Sequence, residues 1–242
     1  SFTEAVLTPG WVRTLPASAT TAFTVATSGV NSTITYMNFK LVTLSGTKYD
    51  DTNGNGVRDP LEPGLANWTI NTTGGLTYGG TSATTDVNGD WSIDSLGGAT
   101  QTLSEVAQLG WTQTAAPAPV GIVSGGNVTG LDFGNFHNVT VSGYKYRDRN
   151  ANGSRGAGEE GLSGWQINLT GTGAGSTTTD ANGHYQLANV GPGSHTLTET
   201  AQSGWTLTEP TGGTYTFSPT SGVNDTTRNF GNFKQSDSTT LY

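Results

Sequence analysis

The chain repeats itself, and the repeat limits what it can fold into. "LSGTKYDDTNGNGVRDPLEPGLANWTI" from Leu44 returns as "VSGYKYRDRNANGSRGAGEEGLSGWQI" from Val141, 97 residues later. "TTDVNGDW" from Thr84 returns as "TTDANGHY" from Thr178, and "SEVAQLGWTQT" from Ser104 as "TETAQSGWTLT" from Thr198. "DFGNF" ending at Phe136 returns as "NFGNF" ending at Phe233. Copies this alike fold alike, so the folding unit is about 97 residues, not the whole chain of 242. Residues 1–39 read as the back end of a third copy. "TEAVLTPGWVRT" matches the Glu…Gly-Trp segment, and "TYMNF" ending at Phe39 matches the closing strand. The expected organisation is a partial unit at 1–39, full units at 40–136 and 137–233, and a polar tail at 234–242. The partial unit lacks roughly 60 leading residues relative to the full ones. A lone half of this kind leaves apolar faces and strand edges open. The missing part is longer than one donated strand, which disfavours filament assembly by completion from a neighbouring chain.

Each full unit reads as about seven short strands. Apolar and polar residues alternate in "LVTLSGTKY", "NWTINTT" and "HTLTET". Asp-Val-Asn-Gly at 86–89 and Asp-Ala-Asn-Gly at 180–183 are hairpin turns with Gly where φ must be positive. No helical period is visible, and the Thr, Ser and Gly content favours strands joined by tight turns. The fold class is therefore all-β, a tandem array of antiparallel two-sheet β-sandwiches.

The net charge is −8, and no Lys/Arg cluster could neutralise a row of phosphates, which excludes a nucleic-acid partner. No apolar run reaches the 18 residues of a membrane span. Cysteine is absent, so disulfides and thiolate metal sites are excluded, and stability must come from ions, other covalent links or packing. Asn-X-Ser/Thr sequons stand at Asn31, Asn67, Asn71, Asn127, Asn138, Asn152, Asn168 and Asn224, a modest excess that weakly favours a glycosylated surface protein.

The stretch "DDTNGNGVRDPLEPGL" carries a ligand pattern. With Asp51 as position 1, Asn53 is 3, Asn55 is 5, Gly56 is 6, Val57 is 7, Asp59 is 9 and Glu62 is 12. Oxygen side chains at 1, 3, 5 and 9, a backbone carbonyl at 7, a bidentate Glu at 12 and Gly at the turn are the calcium-loop spacing. A hard cation needs six to eight oxygens, and this loop supplies them. The second copy offers Asp148, Asn150, Asn152, Ser154 and Glu159, but position 9 is Gly156. Arg147, Arg149 and Arg155 also surround it, so it should bind more weakly. The flanking segments are strands, which makes this a structural calcium loop in a sandwich and not a helix–loop–helix sensor. Asp86, Asn88, Asp180 and Asn182 are further candidate ligands, although turn residues alone explain them better.

The segments "SGTKYDDTNGNGVRDPLEPGLANWTI", "TTDVNGDWSI", "LSEVAQLGW" and "VTGLDFGNF" together resemble the SdrD B-like repeats of microbial surface proteins, a branch of the Cna B-type sandwiches. The resemblance covers nearly all of 1–233. It implies a prealbumin-like (Ig-like) sandwich, calcium at 51–62 and its counterpart, and a stalk that spaces a functional tip from the cell. It also implies that a first-strand Lys can join a last-strand Asn as an isopeptide promoted by a Glu. Here those residues would be Lys48, Glu105 and Asn135, and Lys145, Glu199 and Asn232. Alternation puts Val42, Leu44, Gly46 and Lys48 on one face, so each Lys should point inward, where it must be paired or neutral. A Lys that snorkels to the surface and an Asn that closes a turn is the competing structural reading.

No enzyme is expected. His137, His184 and His195 lie in unrelated segments, and neither a Ser-His-Asp order nor a phosphate loop occurs. Trp11, Trp111 and Trp205 are equivalent, as are Trp68 and Trp165, which favours packing over a ligand platform. The expected function is a calcium-stabilised, extracellular cell-surface rod whose partners are neighbouring repeats. The rival is a module that binds glycan or protein through the least repeated segments, 114–126 and 208–222.

Overall fold

The computed structural model describes residues 2–4, 7–15, 20–21 and 34–236. The sequon at Asn31 and the tail beyond Ser236 lie outside the described residues. The first strands are β1 (Phe2–Thr3), β2 (Trp11–Leu15), β3 (Thr20–Thr21) and β4 (Met37–Lys40). Next come β5 (Val42–Asp50), β6 (Thr69–Gly74), β7 (Ser82–Thr84), β8 (Asp90–Leu96), β9 (Ala99–Glu105), β10 (Trp111–Ala115), β11 (Val120–Ile122) and β12 (Phe133–His137). The last eight are β13 (Val139–Arg147), β14 (Gln166–Thr170), β15 (Gly175–Thr178), β16 (His184–Val190), β17 (His195–Glu199), β18 (Trp205–Glu209), β19 (Tyr215–Phe217) and β20 (Phe230–Lys234). The protein is all-β, and each full copy has eight strands where the sequence suggested about seven. No helix among the described residues is long and apolar enough to cross a membrane.

The sheets run β10–β12–β5–β8 and β11–β9–β6–β7 in the first copy, and β18–β20–β13–β16 and β19–β17–β14–β15 in the second. The orders correspond position for position, as the repeat requires. Pairing is antiparallel except at the closing strand: β20 runs parallel to β13, with Lys145 opposite Phe230 and Arg147 opposite Asn232. A closing strand of the same direction brings a first-strand Lys and a last-strand Asn to one end of the sheet.

By contacts the chain falls into two compact units that do not follow the sequence copies. One comprises 1–49, 63–106 and 116–133, and the other 50–62, 107–115 and 134–242. The core of the first contains Val42, Leu44, Ile70, Trp91, Ile93, Leu96 and Phe133. That of the second contains Val141, Ile167, Leu169, Tyr185, Leu187, Leu197 and Phe230, and also Phe136. The "GNF" ending of a copy thus places its last Phe in the core that comes next in sequence; Phe39 likewise packs against the first core.

Two glycines position the candidate sites. A Cβ on Gly143 would stand 2.0 Å from the Arg228 carbonyl oxygen, and one on Gly46 would stand 2.1 Å from that of Leu131. Only Gly lets the closing segment lie this close to the first strand.

Candidate functional site

In the second unit, β13 carries Lys145 at the inner end of its buried face. The side chain is fully buried, under the ring of Trp165, with Nζ 4.3 Å from the ring centre. Glu199, at the end of β17 in the facing sheet, places Oε2 2.7 Å from Nζ. Asn232, on β20, accepts a hydrogen bond from Nζ through Oδ1. Its Nδ2 donates to Glu199 Oε1 at 2.7 Å. The three side chains therefore form a closed triangle. Nζ also approaches the Phe230 carbonyl oxygen at 3.4 Å.

Burial pulls Lys145 from its ordinary 10.5 down to about 8, against the opposing pull of Glu199. At neutral pH about a tenth of the amine would be uncharged. An uncharged amine against an amide carbonyl, with a carboxylate touching both nitrogens, is the arrangement for amide exchange. In such an exchange the amine would attack Cγ of Asn232, and Glu199 would take a proton from Nζ and deliver it to Nδ2, which would leave as ammonia.

The first unit repeats half of this. Lys48 is fully buried, 3.2 Å from Glu105 Oε2 and 4.5 Å from the centre of the Trp68 ring. Its Nζ reaches the Phe133 carbonyl oxygen at 3.4 Å, as Lys145 does that of Phe230. Asn135, the sequence counterpart of Asn232, is itself buried, in the second unit. Trp68 and Trp165, which the repeat marks as packing residues, are buried with their rings against the two lysines.

The loop 50–62 is organised by its own ligand positions. Asp51 is buried and accepts Asn55 N at 3.0 Å and Gly56 N at 2.7 Å. The amides of Asn53 and Asn55 both reach Asp59 Oδ2 at 2.8 Å, so positions 3, 5 and 9 converge on one point. Glu62 accepts Thr52 N at 2.8 Å and Asp59 N at 3.1 Å, and the loop closes on itself. Gly56 has φ +77°. Among the described residues no three Asp, Glu or His side chains gather into a metal cluster. The donor set here is instead Asp and Glu alternating with Asn amides and backbone carbonyls. All are oxygen donors, which fits calcium and not zinc.

The second loop keeps the frame. Asp148 accepts Asn152 N at 3.2 Å and Gly153 N at 2.8 Å, Asn150 Oδ1 accepts Asn152 N at 3.1 Å, and Asn152 Oδ1 accepts Ser154 N at 2.9 Å. Glu159 accepts Arg149 N at 2.9 Å and Gly156 N at 2.7 Å. Burial pushes Asp148 up, but the Thr208 hydroxyl and the N–H groups of Gly153, Asn152 and Ala151 outweigh it and hold the carboxyl below its ordinary range. Gly156 supplies no side chain at position 9. Arg147 and Arg149 pair with Glu160 at 3.1 and 2.9 Å.

The remaining candidate ligands are turn residues. Asp86 Oδ1 accepts Asn88 N and Asp90 N, and Asp180 Oδ1 accepts Asn182 N and His184 N, all at 2.8–2.9 Å. One contact escaped sequence reasoning. The Tyr146 hydroxyl donates to Glu209 Oε2 at 2.7 Å, and burial pushes Glu209 above its ordinary value. The first copy has Ala115 at that position, so the repeat gave no signal for it.

Residues 139–240 match the family model described as the SdrD B-like domain. This segment is an SdrD B-like domain. The wider chain is 31% identical over 183 residues to serine-aspartate repeat-containing protein F of Staphylococcus epidermidis. That match takes in 68% of this chain and 11% of the relative, so the chain spans about a tenth of the relative's length. Among solved structures, the streptococcal ancillary pilin aligns at 16% identity and TM-score 0.39, over 80% of this chain and 62% of the pilin. The Bacillus anthracis TIE protein aligns at 15% identity and TM-score 0.34, over 83% of this chain and 36% of that one.

Proposed function

We propose that the chain is a stretch of an extracellular surface rod whose sandwiches are stapled twice, by a Lys–Asn amide inside and by calcium in the loops. The observation that carries this reading is the closed Lys145–Glu199–Asn232 triangle, with Lys145 fully buried and Asn232 only 2% exposed. A reactive set sealed in a core has no room for a substrate and acts once, on its own chain. Such a link suits a part that bears load and not one that turns over. Lys48 and Glu105 are the counterpart pair, and the repeat names Asn135 as their acceptor. Asp51, Asn53, Asn55, Asp59, Glu62 and the Val57 carbonyl would hold calcium in the first loop. Asp148, Asn150, Asn152, Glu159 and the Ser154 carbonyl would do so in the second. Bound calcium would supply the charge that lets the Asp51, Asp59 and Glu62 carboxylates face one centre. The resemblance to a serine-aspartate repeat surface protein supports placement at a cell surface, with neighbouring repeats as partners.

Intact mass tests the covalent half. Each amide removes one ammonia, about 17 Da. A full-length mass equal to the sequence mass rejects the link. Melting with and without a chelator tests the ionic half. A ligand that binds only the folded state raises stability by RT ln(1 + [L]/Kd), so a fall of several degrees is expected, and an unchanged midpoint removes calcium from the account.

A second reading keeps one observation. A cleft of about 290 Å³ lined by Phe217, Pro219, Thr220, Val223, Asn224 and Asp225 opens beside the little-repeated segment 208–222. Glycan or peptide capture there is checked by binding arrays with a Phe217→Ala control.

A further inference from the structure

Both full copies carry a serine that clasps the last residue of a closing strand. Lys40 N donates to Ser124 Oγ at 2.9 Å, and His137 N donates to Ser221 Oγ at 2.7 Å. The glycine after each serine completes the clasp. Gly125 N donates to the Lys40 carbonyl and Gly222 N to that of His137, both at 2.9 Å. Ser124 and Ser221 are equivalent positions of the repeat, so the repeat accounts for this much.

Ser221 reaches further. Its N–H donates to the Thr52 carbonyl at 3.0 Å, and its hydroxyl donates to Asp50 Oδ1 at 2.5 Å. A hydroxyl has one proton and two acceptor lone pairs, so it can accept from His137 and donate to Asp50 at once. Asp50 and Thr52 flank Asp51, ligand position 1 of the first loop. Thr52 in turn donates its N–H and its hydroxyl to Glu62 Oε1, at 2.8 and 3.1 Å, and Glu62 is ligand position 12. Ser221 therefore holds the chain on both sides of the first ligand and, through Thr52, reaches the carboxylate of the last. It is a buried residue, and it lies in the same compact unit as the loop although the two come from different copies. In the second loop Arg147 stands at the position of Asp50, and it pairs with Glu160 instead.

We propose that Ser221 is a positioning residue for calcium in the loop 51–62, and that this loop serves the second unit and not the core of the copy it belongs to in sequence. This rests on the calcium reading of the loop and adds the residue that ties it to the second unit. A loop already held in its binding arrangement loses less freedom when an ion enters, and its apparent affinity rises with the fraction of chain so held. Linkage makes the effect mutual: what Ser221 adds to calcium affinity, bound calcium returns to the contacts of Ser221.

The test is calcium calorimetry on the full chain carrying Glu159→Gln, which removes the bidentate ligand of the second loop and leaves the first to titrate. Ser221→Ala should weaken calcium by about tenfold, the loss of one hydrogen bond to a charged group. Ser221→Thr, which keeps the hydroxyl, should restore most of it. Ser124→Ala loses the same clasp on Lys40 and should leave calcium affinity unchanged. Asp50→Ala approaches the contact from the loop, and combined with Ser221→Ala it should lose less than the sum of the two single losses. Hydrogen exchange supplies a second readout: calcium should raise protection of the Ser221 and Gly222 amides. Unchanged affinity in Ser221→Ala overturns the proposal, and so do an equal loss in Ser124→Ala, strictly additive losses with Asp50→Ala, or no rise in protection at Ser221. A Glu159→Gln chain that binds no calcium overturns the shared calcium reading of the first loop as well.

Discussion

Lys145 is a cation placed where water cannot reach it, and its neighbours decide its chemistry. Its folded pKa, about 8, lies below its ordinary 10.5. Below about 8 the amine is charged in both folded and unfolded chains, and the burial penalty is present in full. Between the two values only the unfolded chain holds the extra proton, so the stability of unlinked protein should rise with pH across that window. In the proposed link the uncharged amine is also the nucleophile. Ammonia release from freshly refolded protein, tracked by mass, should therefore quicken as pH is raised toward about 8 and flatten above it. A rate that falls over the same range would contradict this role of Lys145. Asn232→Ala should abolish the loss from the second unit. The proposed link would span the 87 positions between Lys145 and Asn232. By the loop-closure estimate used for disulfides, its absence should cost about 4–5 kcal/mol in denaturant titration.

At the scale of the element, the two loops share one frame and differ at one vertex. A Cβ on Gly156 would meet nothing closer than Glu159 Oε2 at 3.7 Å, so Gly156→Asp fits and restores the side chain that Asp59 supplies in the first loop. If both loops bind calcium as proposed, calorimetry on the full chain should show binding at the second loop tightened on the order of tenfold, since affinity in such loops depends on ligand charge. Strand β13 is less forgiving. Gly143→Ala drives a Cβ against the Arg228 carbonyl and should lose about 1–3 kcal/mol or more. Gly175→Ala, with nothing within 4 Å of the added carbon, is the control and should melt nearly unchanged.

At the scale of the whole molecule, sequence copies and compact units divide the chain at different places. Asp51 N donates to the Asn135 carbonyl at 2.8 Å, Ser221 N donates to the Thr52 carbonyl at 3.0 Å, and the Ser221 hydroxyl donates to Asp50 at 2.5 Å. These bonds draw the first ligand loop into the second unit. Phe136 ends the first copy but fills the second core, so Phe136→Ala should weaken the second unit by about 3–5 kcal/mol. The check is hydrogen exchange resolved by segment: protection should fall first across 139–234, and loss confined to 63–106 would contradict it.

Sequence alone determined the repeat, the all-β class, the ligand spacing from Asp51 to Glu62, and the inward face that carries Lys48 and Lys145. Each is a local pattern, written in residues a few positions apart or in a motif that recurs. Tertiary structure decided what comes together across the sheets. It set the parallel closing strand, closed Lys145, Glu199 and Asn232 into a triangle under Trp165, and placed Glu209 against Tyr146. It also assigned Phe136 to the second core. None of these has a period to read, because strand order and register set them over long separations.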